Sequence, residues 1–182
     1  MRASIALALA VCGFGDALPG QSLSIPSAPS ELQYHFQLRA SRTGSGVRDL
    51  AGGEVAGGGG FMAMMGDMPL RLRLRMDGDC FPASSGKQTI WTAGLGAEAV
   101  YLFPEMDAWK PFVSIGPAFQ RWEIGSDDSQ GRPRRSYNRL AGRAEAGFWF
   151  KERVCLSFGL LCGGLEDGHS TSNPYGAVTL HF

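Results

Sequence analysis

The chain has 182 residues and balances 17 basic against 17 acidic side chains. That balance excludes the basic excess on which a nucleic-acid partner depends, and the length suits a single domain. Charged residues make up only 19% of the chain, while glycine reaches 26 and proline 10, a mixture that suits many short strands joined by turns.

Residues 1–17 read as a secretory signal peptide for Sec-type export. Arg2 supplies a positive start, Ser4 to Phe14 a short apolar run, and Gly15-Asp16-Ala17 a small-x-small cleavage site. The run is too short to span a bilayer as a helix. Residues 18–30, rich in Pro and Ser, read as a flexible mature N-terminus. Alternation then begins, with Leu32, Tyr34, Phe36 and Leu38 set against Gln33, His35, Gln37 and Arg39. A period of two is the mark of a strand, because successive side chains point to opposite faces. A second strand is expected over 58–66. The four glycines at 57–60 lack the Lys-Ser/Thr and the helix of a phosphate loop, so they read as a strand entry.

After a turn at 67–69, residues 70–77 read Leu-Arg-Leu-Arg-Leu-Arg-Met-Asp. A helix would spread these arginines around its circumference, whereas a strand puts Leu70, Leu72, Leu74 and Met76 on one face and Arg71, Arg73, Arg75 and Asp77 on the other. Alternation returns over 92–103, with Glu98 on the polar face, and over 113–120. It returns again over 140–150, with Arg143 and Glu145 on the polar face, then over 154–163 and 176–182. These segments of about 8 to 13 residues have the length that a tilted strand needs to cross a bilayer. Their connections alternate: long at 41–57, 78–90, 125–138 and 165–173, short at 67–69, 104–110 and 151–153. An eight-stranded antiparallel up-and-down transmembrane β-barrel over 31–182, with both termini at one end, predicts that alternation.

Three features orient the faces. The polar face is rich in small residues such as Gly94, Gly96, Ser114, Gly116, Gly147, Ser157 and Gly159, as a cramped eight-stranded interior requires. The apolar face stays nearly free of charge, as lipid contact demands. Aromatics gather at the short-turn end (Tyr101, Phe103, Trp109, Phe148, Trp149, Phe150 and Phe182), as in an interfacial girdle. The expected interior is therefore a filled polar network of Gln33, His35, Gln37, Arg39, Arg71, Arg73, Arg75, Glu98, Arg143 and Glu145. Asp67, Asp77 and internal water would help to offset an excess of arginine.

With its signal segment, amphipathic strands, alternating connections and terminal Leu180-His181-Phe182, the chain resembles the small bacterial outer-membrane β-barrels. It is similar to the OmpA transmembrane domain, OmpX and OmpW. The last strand, with Val178, Leu180 and Phe182 at alternate positions, resembles that family's assembly signal. The resemblance implies the outer membrane of a Gram-negative-type bacterium. It implies outer-membrane lipid, lipopolysaccharide and the barrel-assembly machinery as partners, with no cofactor. Arg132, Arg134 and Arg135 are candidate contacts for lipopolysaccharide phosphates.

Little else points to chemistry. His169, Ser172 and Asn173 are similar to the His-x-Ser-Asn arrangement of outer-membrane lipid A deacylases. The spacing carries an extra residue, and no acidic residue follows to orient the histidine. His35, His169 and His181 stand far apart, and no metal site is expected. Of the four cysteines, Cys12 falls in the signal segment; Cys80, Cys155 and Cys162 remain, an odd number, and are expected to be unpaired, with Cys80–Cys162 the conceivable bridge. The expected role is non-enzymatic, structural or surface-interacting. The alternatives are a narrow transporter of small apolar solutes, with a side opening near Pro117, and a soluble lipocalin-like barrel with its apolar face turned inward.

Overall fold

The computed structural model describes residues 32–66, 69–84, 87–125, 135–151, 153–163 and 172–182. The signal segment, the residues after it to position 31, Asp67, Arg132, Arg134 and His169 lie outside them. Nine elements follow in order: β1 (Gln33–Arg42), α1 (Ser45–Ala51), β2 (Val55–Met65), β3 (Leu70–Phe81), β4 (Ile90–Leu102), β5 (Trp109–Ile124), β6 (Arg135–Phe150), β7 (Val154–Cys162) and β8 (Asn173–His181). Each strand pairs antiparallel with its sequence neighbours, and β8 pairs back onto β1 from His35↔His181 to Ser41↔Tyr175, closing the barrel.

The alternation resolves into an inside and an outside. Leu72 and Leu74 are 40% and 43% exposed, whereas Arg73 and Arg75 between and beside them are each 3% exposed. The lipocalin-like alternative required the reverse and is overturned. On β5 the outward side chains run from Trp109 through Val113 and Ile115 to Phe119 before Arg121 pairs with Glu123 at 3.2 Å. At about 3.4 Å per residue and a tilt near 40°, Trp109 to Phe119 spans about 25 Å, the height of a lipid-facing band. β5 and β6, at 16 residues each, carry on beyond it.

Two expectations need correction. Trp149 does not belong to an outer girdle: it is 5% exposed and packs inside with Met64, Val100, Leu102, Phe112 and Cys155. Its inward parity, shared with Glu145 and Gly147, decides this. The connection expected at 41–57 contains α1, whose seven residues are too few to show a helical period. So short a helix depends on packing rather than propensity. Val47 and Ala51, one turn apart, are fully buried against Phe81, Ile90, Trp122 and Ile124 at the long-connection end. Gly52 ends the helix in the left-handed region at φ 79°, with its N–H bonded to Arg48 O. The Ser84 N–H donates to Ala51 O at 2.9 Å, tying α1 to the connection after β3.

The barrel interior is thus layered. The apolar cluster under α1 lies at the long-connection end and the cluster around Trp149 at the short-turn end; charged residues, with a small apolar patch of Ala118, Ala141 and Leu161 beside Arg143, fill the space between. The three described cysteines are all free, so Cys80 and Cys162 are not bridged.

Candidate functional site: a neutral charge layer inside the barrel

Eight strands leave room inside for side chains and nothing wider, so charges placed there must satisfy one another. Among the described residues, the buried charges are four arginines (Arg39, Arg73, Arg75, Arg143) and four carboxylates (Asp77, Asp79, Glu98, Glu145). The expected excess of arginine narrows: Asp77, as expected, and Asp79 beyond it on β3 balance these four arginines, while the half-buried Arg71 donates to Gln33 instead.

Arg39 on β1 is clamped. Its Nε and Nη2 donate to the two oxygens of Asp79, each at 2.6 Å, and its Nη1 donates to Asp77 Oδ2 at 2.6 Å. Such a fork is the geometry guanidinium favours for carboxylate. Arg73 donates to Glu98 through Nε at 2.8 Å and also through Nη2, and it reaches Ser114 Oγ at 2.6 Å and Glu145 Oε1 at 3.2 Å. Arg75 donates to Gln37 Oε1 at 2.5 Å and Glu145 Oε2 at 2.8 Å, with its Nε 3.1 Å from Glu98 Oε1. Arg143 Nη1 lies 2.8 Å from Asp77 Oδ2 and 3.4 Å from Glu98 Oε1. The Tyr175 hydroxyl on β8 completes Glu145, donating to Oε2 at 2.7 Å. Residues of β1, β3, β4, β5, β6 and β8 are joined in one network. Removing one partner from such a pair leaves an unpaired buried charge, at a cost of about 3–5 kcal/mol.

Glycines let these side chains meet across a strand. Arg39 and Asp79 are two strands apart, and the position between them in register is Gly58. Glu145 and Tyr175 are likewise separated by Gly159, where a methyl group would overlap the Tyr175 ring. Gly116 pairs with Arg143 and has Glu98 Cα 2.7 Å from where its own Cβ would stand. The small residues on the inward face are gaps over which long charged chains reach.

The remaining expected interior residues are inward but separate from this layer, or at its edge. Gln37 links Arg75 to the Thr179 hydroxyl, donating to it at 3.2 Å. Gln33 accepts from Arg71 Nη1 at 2.8 Å near the short turns. His35 sits between the rings of Trp149 and His181, with centroids 4.9 and 4.8 Å away. Asp79, Ser114 and Tyr175 join the network beyond the expected residues. Extending the alternation of Arg71, Arg73, Arg75 and Asp77 by one more step points to Asp79. Tyr175 precedes Ala177 and Thr179 by the same period.

Asn173 is buried and accepts the Gly44 N–H at 2.9 Å through Oδ1, holding the entry to α1. Among the described residues no group of His, Cys, Asp and Glu is placed to hold a metal ion. Pro117 faces outward where the β4–β5 ladder skips the pairs between Gly96↔Ala118 and Ala99↔Ile115. The inward neighbours at that gap include Glu98, so it is not backed by a continuous apolar lining. Val178, Leu180 and Phe182 all point outward and are exposed, as is Arg135 at the start of β6.

No protein-family model matches the chain, and no curated protein matches it. Solved structures do. The crystal structure of Neisserial surface protein A (NspA) superposes with a TM-score of 0.66 at 12% identity, over 85% of this chain and 99% of that one. Ail, the attachment invasion locus protein of Yersinia pestis, gives 0.49 at 11% identity, over 82% and 94%. The N-terminal β-barrel domain of Pseudomonas aeruginosa OprF gives 0.48 at 17% identity, over 82% and 97%. The chain has the fold of the small eight-stranded outer-membrane barrels.

Proposed function

We propose that this chain is a non-conducting outer-membrane barrel of a Gram-negative-type bacterium, with a structural or surface-interaction role and no enzymatic activity. The observation that carries this reading is the layered interior: a neutral, mutually bonded charge layer lies between two apolar clusters, all inside a lipid-facing band. A porin needs a wide aqueous lumen, and eight strands do not provide one. A transporter of apolar solutes needs an apolar path, and the middle of this barrel is ionic. A non-enzymatic role is supported by Asn173, whose Oδ1 is committed to the Gly44 N–H.

The long-connection end is then the surface that meets partners. Lipopolysaccharide phosphates would be met by Arg135 together with Arg132 and Arg134, and the barrel-assembly machinery by the strand ending in Val178, Leu180 and Phe182. Conductance tests the central claim. The purified protein, in its heat-modifiable folded form, should show no large, stable porin-like steps in planar bilayers. Steady steps of that kind would overturn the reading.

A further inference from the structure

Two furrows run along the outer wall of the barrel, one on each side of β5. The outward side chains are small there: Ala97 and Ala99 on β4, and Gly142, Ala144 and Ala146 on β6. Taller neighbours stand beside them, with Ile115 on β5 and Phe158 on β7 69% and 77% exposed. The register sets Ile115 between Ala99 and Ala144, and Ala146 between Val113 and Phe158, while Leu72 and Leu74 bound the far side of β4. The depression over Ala99, Ala144 and Ala146 measures about 660 Å³. From Gly142 to Ala146 the β6 floor runs about 14 Å at 3.4 Å per residue. Above the furrows, the dividing strand ends in charge. Arg121 faces outward one step beyond Phe119, and Glu123 one step beyond Arg121. At the strand tilt used above, each step rises about 5 Å, which puts both groups at headgroup height. Arg121 Nε donates to Glu123 Oε1 at 3.2 Å, and the arginine side chain is still more than half exposed. Trp91 and Ser136 flank Glu123 in register, and Ala93 and Asn138 flank Arg121.

We propose, on the outer-membrane reading above, that this wall holds one glycerophospholipid with a phosphoethanolamine headgroup. One acyl chain lies in each furrow, the phosphate accepts from Arg121, and the ammonium donates to Glu123. The order of charges selects the headgroup. Going outward from the lipid band, the wall offers a cation first and an anion second. A phosphoethanolamine group carries its phosphate on the side of the chains and its ammonium beyond. Guanidinium is well matched to phosphate oxygens, and the exposed Trp91 beside the pair suits the same interfacial depth. Two furrows flanking a single cation fit a lipid with two chains and one phosphate. Phosphatidylglycerol has no ammonium for Glu123, and lipid A brings more chains than there are furrows.

Native mass spectrometry of the folded full chain tests this, with phosphatidylethanolamine, phosphatidylglycerol and lipid A offered at equal concentration in detergent micelles. One phosphatidylethanolamine per barrel should be retained, several-fold in preference to the other two. Arg121→Glu combined with Glu123→Arg keeps an ion pair and the net charge but inverts their order. Its retention of phosphatidylethanolamine should fall about tenfold or more, the loss expected for one charge-assisted hydrogen bond. Ala144→Trp fills one furrow from the lipid side and should also weaken retention, with the headgroup pair untouched. These positions face away from the interior, so the heat-modifiable shift should match the parent. If the doubly substituted chain lacks that shift, Arg121→Gln carries the same expectation. Unchanged retention in a folded, charge-inverted variant overturns the proposal. So does equal retention of phosphatidylglycerol, or preferred retention of lipid A. A dimer mass without lipid overturns it too, and would give the wall to a second copy of the chain. A chain that does not enter phosphatidylethanolamine vesicles fails the outer-membrane reading as well, whereas one that inserts and retains no lipid fails this proposal alone.

Discussion

At the scale of the residue, the interior is governed by which positions are empty. Gly159 has no side chain, and through that gap Tyr175 reaches Glu145 from two strands away. Gly159→Ala would push the tyrosine ring off its hydrogen bond and overfill the space, so it should destabilise the barrel by about 1–3 kcal/mol. Tyr175→Ala vacates that space, and in its background the added methyl should cost much less. The cycle of single and double variants, read from urea midpoints in one detergent, should therefore be clearly non-additive. Additive effects would mean that the methyl group harms something other than the tyrosine. The alternation of Arg71, Arg73, Arg75 and Asp77 makes the inward direction of the arginines legible in the sequence. Their partners are less so, because pairing depends on residues two strands away and hence on register. Asp79 belongs to the same alternation as Asp77, yet only the clamp on Arg39 shows what it does.

At the scale of the element, all eight strands and the alternation of long and short connections are readable from period two and turn chemistry. Their ends are not. β5 runs on to Ile124 and β6 begins at Arg135, because above the lipid band the inward residues Trp122, Ile124 and Tyr137 pack on the α1 cluster. α1 itself leaves no periodic trace, since Val47 and Ala51 are a single i, i+4 pair whose partners come from β2, β3, β4 and β5. Trp149 departs from expectation for a different reason: its aromatic type suits the membrane interface, while its parity puts it inside. β8 is the strand that closes the barrel against β1, and its outward residues Val178, Leu180 and Phe182 face away from the interior network. Phe182→Ala should then leave the bonded interior intact. Refolding of the purified variant into detergent should match the parent, with the same heat-modifiable shift. In cells, the amount assembled in the outer membrane should fall several-fold if this strand is the signal read by the assembly machinery. Equal assembly in cells would remove that role, and failure to refold in vitro would make Phe182 a structural residue instead.

At the scale of the whole molecule, the barrel divides by height into a lipid band with its neutral interior and a cap above it. The register gives a clean place to separate the two, because Arg121 and Asn138 face each other on β5 and β6. Replacing residues 122–137 with a two-residue Asn-Gly turn joins those strands by a connection suited to an antiparallel hairpin. The change removes Trp122, Ile124 and Tyr137 from the α1 cluster, together with Arg132, Arg134 and Arg135. The band keeps every member of the charge layer, so the trimmed chain should still fold and show the heat-modifiable shift. α1 loses much of its packing surface and, at seven residues, cannot stand alone. Its backbone amides should therefore exchange with solvent far faster than in the parent. Large conductance steps should still be absent, since the charge layer and the cluster around Trp149 remain. Association with lipopolysaccharide should fall and lose its salt dependence if the three arginines supply it. Retained, salt-sensitive association in the trimmed protein would assign that contact to another part of the barrel, and loss of folding would show that cap and band form a single cooperative unit.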